Sequence, residues 1–486
     1  MKYSYGLLAS CLYAIARAQS TSTQTCSTTL APKNAAPSVA SGWDVKVVAT
    51  GLTSPRGIIF DSSGHLLVVQ RNTGIVSLPL TDDGGSCVRA GKPIVVIKDK
   101  TLNHGIELSS DGKTLYASSA DIVYAWDYDA ANSKNTSEPR QIVTGMATSD
   151  HTTRTLLVSK QVDDLLLVSR GSTSNLDLEA EDINTGRSQI KAFNLTNATG
   201  AYDFNTKGLR LGWGLRNSVG VAEEPLTGGI WSVENSVDEM ERDGKNIHTD
   251  NPGEEMNFHG YLNGTEYAPQ GQNYGYPSCF AAWNVSTIPQ NAGIEVGTQF
   301  AIGEQNSTVN DTICQKERIP PRLTFQAHQA PLDLKFNANG STAFVTFHGS
   351  WDRAAPVGYK LSVVTFANGS PLEPSNSTTA AVDIVANQDN SKCPDACFRP
   401  VGLAWDSKGR LFMSSDATGE VYVITRADGS GANAVQPSST TASPTATGTA
   451  TGTGAAAASS TKPGAGVREK VQWWVFAACM VLGLLV

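Results

Sequence analysis

Six basic residues stand at the head of one recurring pattern. Arg56, His104, His151, Arg216, His328 and Arg399 are each followed, after a short gap, by an alternating apolar run, a turn rich in Gly, Asp or Asn, and a second apolar run. Arg binds carboxylates through two parallel hydrogen bonds, and the imidazole of His moves protons near neutral pH. If the six face a common space, crowding desolvated cations together is costly unless a negative ligand pairs with them, so such a ring selects an anion. A flat polycarboxylate cofactor suits it. A calcium-dependent hydrolase or lactonase would instead present Glu, Asp and Asn, because calcium takes oxygen ligands.

The elements that carry these residues read as β-hairpins. The copies Arg56-GIIFDSSGHLLVV, His104-GIELSSDGKTLYAS, His151-TTRTLLVSKQVDDLLLVS, Arg216-NSVGVAEEPLTGGIWSV, His328-QAPLDLKFNANGSTAFVTF and Arg399-PVGLAWDSKGRLFMSS each place two period-2 apolar segments around turn chemistry. The leading residues are 48, 47, 65, 112 and 71 positions apart. The first two intervals match a four-stranded propeller blade of about 40–50 residues, and the longer ones need only insertions between blades. The expected fold is therefore all-β, a six-bladed β-propeller, closed by pairing of a strand at residues 43–48 with the last blade at 410–425. Each leading residue, preceding an innermost strand, is expected at the mouth of the central channel.

Composition bounds the remainder. The chain has 486 residues, 40% hydrophobic and 17% charged, with 45 Gly, a poor mixture for long helices. Its net charge of −8, with no long basic run, excludes a nucleic-acid partner. Residues 1–18 read as a secretory signal peptide, with Lys2 ahead of an apolar stretch and Ala16-Arg17-Ala18 as the cleavage site. An N-terminal segment at 19–39 precedes the propeller domain at 40–428. Residues 429–470, rich in Ser, Thr, Ala and Gly, read as a disordered stalk. Residues 471–486 form an apolar run that is short for a membrane span and follows small residues and a polar spacer, which fits a GPI-anchor signal. Membrane attachment is expected through that lipid alone.

Between the two signals lie Cys26, Cys87, Cys279, Cys314, Cys393 and Cys397. An even number in an oxidising compartment predicts up to three disulfides. Cys393 with Cys397 and Cys279 with Cys314 close the shortest loops, leaving Cys26 with Cys87. Ten N-x-S/T sequons predict a glycosylated extracellular surface.

The order of Pro55-Arg56-Gly57, Asp150-His151 with Arg154-Thr155-Leu156, Gly214-Leu215-Arg216-Asn217, Asn273-Tyr274-Gly275-Tyr276-Pro277, His348-Gly349-Ser350-Trp351-Asp352-Arg353 with Gly358-Tyr359-Lys360, and Arg399-Pro400-Val401-Gly402 resembles the soluble quinoprotein glucose/sorbosone dehydrogenases. It is most similar to their fungal branch, the secreted PQQ-dependent pyranose dehydrogenases. The resemblance implies pyrroloquinoline quinone (PQQ) as cofactor, with Ca2+ polarising its carbonyls, and oxidation of a small-molecule sugar. It further implies His151 as general base, Arg216 and Asn217 near the quinone oxygens, and Arg56, His328, Arg353, Lys360 and Arg399 as cofactor contacts. Backbone carbonyls near Glu234, Asn235 and Ser236 would help hold calcium. The chain has no C-x-x-C-H haem motif, so the resemblance implies an external electron acceptor, a copper polysaccharide monooxygenase or a small quinone.

Plainer readings stand beside these. His104 reads equally as a channel-wall histidine, the acidic stretch from Asp238 to Glu255 as a solvated loop, and Trp351 as packing or as a sugar-stacking platform. A calcium-dependent lactonase or esterase and a non-catalytic glycan-binding propeller remain as alternative functions.

Overall fold

Each of the six repeats forms the antiparallel hairpin that its alternation predicts, within a computed structural model that describes residues 26–196 and 200–433. The hairpins pair Pro55–Phe60 with Leu66–Gln70, Leu102–Leu108 with Thr114–Ser119, Leu156–Val158 with Leu165–Arg170, Ser218–Glu223 with Gly229–Glu234, Pro331–Phe336 with Thr342–Phe347, and Pro400–Trp405 with Leu411–Ser415. We number the blades 1 to 6 in that order. In blades 1, 2, 5 and 6 the turn closes on Gly64, Gly112, Gly340 and Gly409, at φ of +78°, +70°, +64° and +72°, where a side chain would be strained. In blade 1 an Asp at the turn's start adds support, since Asp61 Oδ1 accepts from the backbone N–H of Ser63 and His65.

Two further strands extend each hairpin outward into a four-stranded sheet. The fourth strand of blade 6 is Trp43–Ala49, paired antiparallel with Glu420–Arg426, so the two ends of the domain close the circle and remove an exposed edge. The first strands of successive blades touch all the way round, including the last against the first. Apolar layers fill the spaces between neighbouring sheets. The second strand of each blade is covered on both faces and so is buried along almost its whole length, as in Leu66–Gln70. The layer between blades 4 and 5 is aromatic, with Trp231 edge-on to Phe366 at 5.2 Å and Phe325 edge-on to Phe347 at 5.2 Å.

The ends of the domain differ from the expected boundaries. Cys26 is bonded to Cys87, and Ser38–Val39 adds to the outer strand of blade 5, so the segment before residue 40 is strapped to the propeller. At the other end, Gly431 bridges Thr425 and Ala432 is buried, which carries packed structure past residue 428. The other two disulfides join Cys279 to Cys314 and Cys393 to Cys397, as the loop lengths indicated. The signal peptide, the GPI signal and the stalk from 434 lie outside the described residues. The longest insertion is not between blades, as the spacing suggested, but within blade 4, between its third strand Glu254–Tyr261 and its fourth Leu323–Phe325, and it carries the Cys279–Ala281/Gln299–Ala301 hairpin and the helix Asp311–Glu317.

The inner strands approach so closely that side chains are excluded. A Cβ on Gly57 would lie 2.3 Å from the His104 carbonyl oxygen, and one on Gly402 2.5 Å from that of Arg56. Neither obstacle is a mobile side-chain end, so the blades must separate to admit a methyl group. Gly57→Ala and Gly402→Ala should each lower stability by about 1–3 kcal/mol in chemical denaturation. Gly200→Ala, where a Cβ meets nothing within 4 Å, is the control and should change it by less than about 0.5 kcal/mol.

Candidate active site at the channel mouth

Where the inner strands begin, a cavity of about 410 Å³ opens. His151, Arg216, Asn217, Arg56, His328, Arg399, Asn235 and Ser236 all line it.

His151 sits on the connection into blade 3, and Arg154 holds that connection. The fully buried Arg154 guanidinium donates to the carbonyls of Met146, His151 and Thr153, so the loop's polar groups are satisfied without water. His151 Nδ1 lies 2.8 Å from Ser172 Oγ, which donates its own hydrogen to the Ser174 carbonyl. Ser172 Oγ therefore accepts from His151, the proton of the neutral ring sits on Nδ1, and Nε2 keeps its lone pair. Burial, then the charge of Arg216, pushes His151 down to about 3. Ser172 is itself anchored, its N–H donating to the Arg216 carbonyl at 2.8 Å. Gly171 leaves room for the pair, since a Cβ there would meet His151 Cβ at 2.8 Å and Asn217 Oδ1 at 2.6 Å.

Arg216 is locked in place. Its guanidinium donates to the Asn175 carbonyl and side chain, to the Asn235 carbonyl and to Asp238 at 2.9 Å. Beneath it, Glu234 Oε1 accepts the Arg216 backbone N–H at 2.6 Å. Across the blade the carboxyl of Arg56's partner, Asp416, bridges two cavity residues, taking Arg56 Nη1 at 2.7 Å and His348 Nε2 at 2.8 Å. Arg399 has no such partner. It donates to the carbonyls of His348 and Gly349 and lies over the Tyr359 ring, and burial, foremost, lowers its pKa.

The ring of six leading residues is thus not one structural slot. Arg56 and His104 lie within inner strands, whereas the other four precede theirs on connections of different length. His104 is buried below the cavity, neutral because burial and then Arg56 lower its pKa, and it does not line the wall. Nor is the ring uniformly cationic, because Asp416 and Asp238 compensate Arg56 and Arg216. Three other expected residues also stand away from the cavity. Lys360 pairs with Asp383 at 2.9 Å, Arg353 donates to the Thr249 carbonyl, and Glu234 is turned into the sheet below.

Two lining residues, Arg71 and Asn103, lacked a distinct sequence signal, and Asp238 and Glu254 were marked only as members of the acidic stretch. His348, Trp351 and Asp352 lie in the His348–Arg353 motif, whose members were not separable by type alone. The acidic stretch is no solvated loop at either end. Asp238 lines the cavity, and Glu254 and Glu255 are buried. Ligand atoms of Asp238, His328 and Asp352 come within 4.8 Å of one another, the one metal-ligand cluster among the described residues. This group offers carboxylates for a cation, and Asn235 and Ser236 line the same cavity. Trp351 is 67% exposed at the rim, so it is not packing.

Glu234 and Glu255 face each other across neighbouring strands of blade 4, sharing Asn257 Nδ2 as a donor. Burial and mutual repulsion raise Glu234 well above the carboxylate range, and burial lifts Glu255 to about 7. A carboxyl with a raised folded pKa contributes stability that is intact below its unfolded value near 4.3 and is lost as pH rises through the folded value. The thermal midpoint should therefore fall between about pH 4.3 and 7. Glu255→Gln, which keeps a polar group on Asn257 and Gln299, should flatten that slope. An unchanged slope would assign it elsewhere.

Comparison with known proteins gives concordant results. The TrAA12-like family matches residues 37–427. The "Pyrroloquinoline quinone-dependent sugar dehydrogenase" of Hypocrea jecorina is 48% identical over 82% of this chain and 91% of its own. Two solved structures are similar. The calcium structure of the Trichoderma reesei Carbohydrate-Active Enzymes Family AA12 protein covers 83% of this chain and all of its own, with TM-score 0.80 and 48% identity. The holo form of the pyranose dehydrogenase PQQ domain from Coprinopsis cinerea covers 82% of this chain and 99% of its own, with TM-score 0.76 and 36% identity.

Proposed function

The chain belongs to the TrAA12-like family, and on that premise we propose that it is a PQQ-dependent dehydrogenase oxidising a hydroxyl-bearing carbon of a pyranose or keto-aldose sugar. One observation carries the reading. A neutral imidazole with a free Nε2 lone pair and a locked guanidinium face the same cavity, whose wall also holds cations without carboxylate partners.

The cavity suits a polycarboxylate. Among the described residues Arg399 and Arg71 line it without an ion pair and the buried Nε of Arg56 has no hydrogen-bond partner, so donors remain for carboxylates once water is displaced. Arg56, Arg71 and Arg399 would hold PQQ, which when bound supplies a two-electron acceptor for a hydride. Asp238 and Asp352 would hold Ca2+ through oxygen, with His328, whose Nδ1 lies 3.2 Å from Asp352, orienting that carboxylate.

The residues divide the remaining work. His151 takes the sugar hydroxyl proton at Nε2, Ser172 keeps the ring in the tautomer that permits this, and the resulting imidazolium is stabilised by the anionic ligand in the cavity. Arg216, with its donors fixed by Asn175 and Asp238, adds positive charge where alkoxide character develops and needs no rearrangement to do so. Trp351, open at the rim, offers an apolar face for the sugar ring. Turnover is completed by an external acceptor, a copper polysaccharide monooxygenase or a small quinone.

Calorimetry should show PQQ binding that weakens when a chelator removes Ca2+. PQQ binding that is absent, or indifferent to calcium, would favour a calcium-dependent lactonase or a glycan-binding propeller. His151→Gln should leave PQQ affinity within about threefold and slow sugar-dependent cofactor reduction by at least about 100-fold in single turnover. A near-normal rate would move the base to His348, which Asp416 orients.

The setting we propose is extracellular, with a GPI anchor. All nine sequon asparagines among the described residues are at least partly exposed, as glycan attachment requires. Phospholipase C should release the protein from intact cells, and retention while a known GPI protein is freed would remove the anchor from the account.

A further inference from the structure

The wall around the channel mouth is uneven. On blades 3, 4 and 5 the connections at this end are long, comprising residues 171–188, 235–253 and 348–359. On blades 1 and 2 they shrink to residues 71–73, 98–101 and 120–122. Over this low side lies a second hollow of about 480 Å³. It shares Arg71, Asn103 and Thr152 with the central cavity, so the two adjoin.

The chemistry of the outer hollow is that of a carbohydrate subsite. Asn72, Lys100 and Asp121 supply donors and acceptors, and Tyr124, half-buried at the start of its strand, supplies an aromatic ring. Lys100 is exposed and engaged in no ion pair among the described residues, so it remains available to hydroxyl oxygens. None of Asn72, Lys100, Ala120, Asp121 and Tyr124 reaches the central cavity. A pyranose oxidised beside His151 faces long connections on blades 3, 4 and 5, and the outer hollow lies on the side of blades 1 and 2.

We propose that this outer hollow is a subsite for a second sugar unit, so that the protein accepts the terminal ring of a di- or oligosaccharide as well as a free pyranose. The proposal rests on the dehydrogenase reading above and adds the substrate's size and direction of entry.

The test uses PQQ-reconstituted protein, a free pyranose that it oxidises, and a disaccharide carrying the same pyranose as its terminal unit. The disaccharide should be oxidised with kcat/KM within about threefold of the free sugar or above it. Ala120→Trp, which fills the hollow from a surface turn, should lower kcat/KM for the disaccharide at least tenfold and leave the free sugar within twofold. Tyr124→Ala should act in the same direction. A disaccharide left unoxidised while the free sugar reacts, or an Ala120→Trp effect equal on both, overturns the proposal. Saturation-transfer NMR separates this from failure of the dehydrogenase reading. Transfer to the disaccharide's second ring, lost in Ala120→Trp, supports the subsite even if no sugar is oxidised, and absence of that transfer overturns it.

Discussion

The distance between inner strands governs the rest of the structure. Six first strands must stand around one axis with their backbones nearly in contact, and Gly57, Gly105, Gly220 and Gly402 are where that contact leaves no space for a Cβ. On this spacing depends the position of the channel mouth. Val219, Leu332 and Val401 of blades 4, 5 and 6 meet in an apolar cluster, and Val219 and Leu332 form part of the cavity wall. The connections at the end where the strands begin supply most of its polar chemistry.

Within the mouth, charge is arranged by compensation. Asp416 is costly to bury, yet His348 and Arg56 hold it ionised, with its pKa far below the usual carboxylate range. Removing one member of such a buried set leaves an uncompensated charge, at a cost of about 3–5 kcal/mol. The same pairing withdraws Arg56 and Arg216 from a role as bare cations and fixes their direction instead. Binding capacity is left to Arg399 and Arg71, which have no carboxylate of their own among the described residues, and to the unpartnered Nε of Arg56, while the fixed groups orient what is bound.

His151 shows how far the fold sets reactivity. The residue type allows proton transfer, but Ser172, Ser174 and Arg154 together decide which nitrogen is free and where it points. Its pKa near 3 describes the cavity without an anion, since burial and Arg216 both oppose the charged ring. An anionic ligand facing Arg216 reverses the second of these influences and makes His151 a stronger base when the site is filled.

Hairpins, blade count, closure by the strand at residue 43 and the three disulfides were legible in the sequence because they depend on local signals: alternation, turn residues and loop length. The members of the cavity were legible only where a short motif carried them, as with His151, Arg216 and Arg399. Tertiary structure alone decided that Asp416, far along the chain from both, would neutralise Arg56 and orient His348. It also decided that His104, Lys360, Arg353 and Glu234 would face away from the cavity. The reason is physical. Whether a basic residue at the head of a repeat faces the channel depends on a bulge or on one or two residues in the preceding connection, and a shift of one position along a strand turns a side chain to the opposite face. Alternating residue types determine that a blade forms, whereas only the packed circle of six determines which charges meet at its centre.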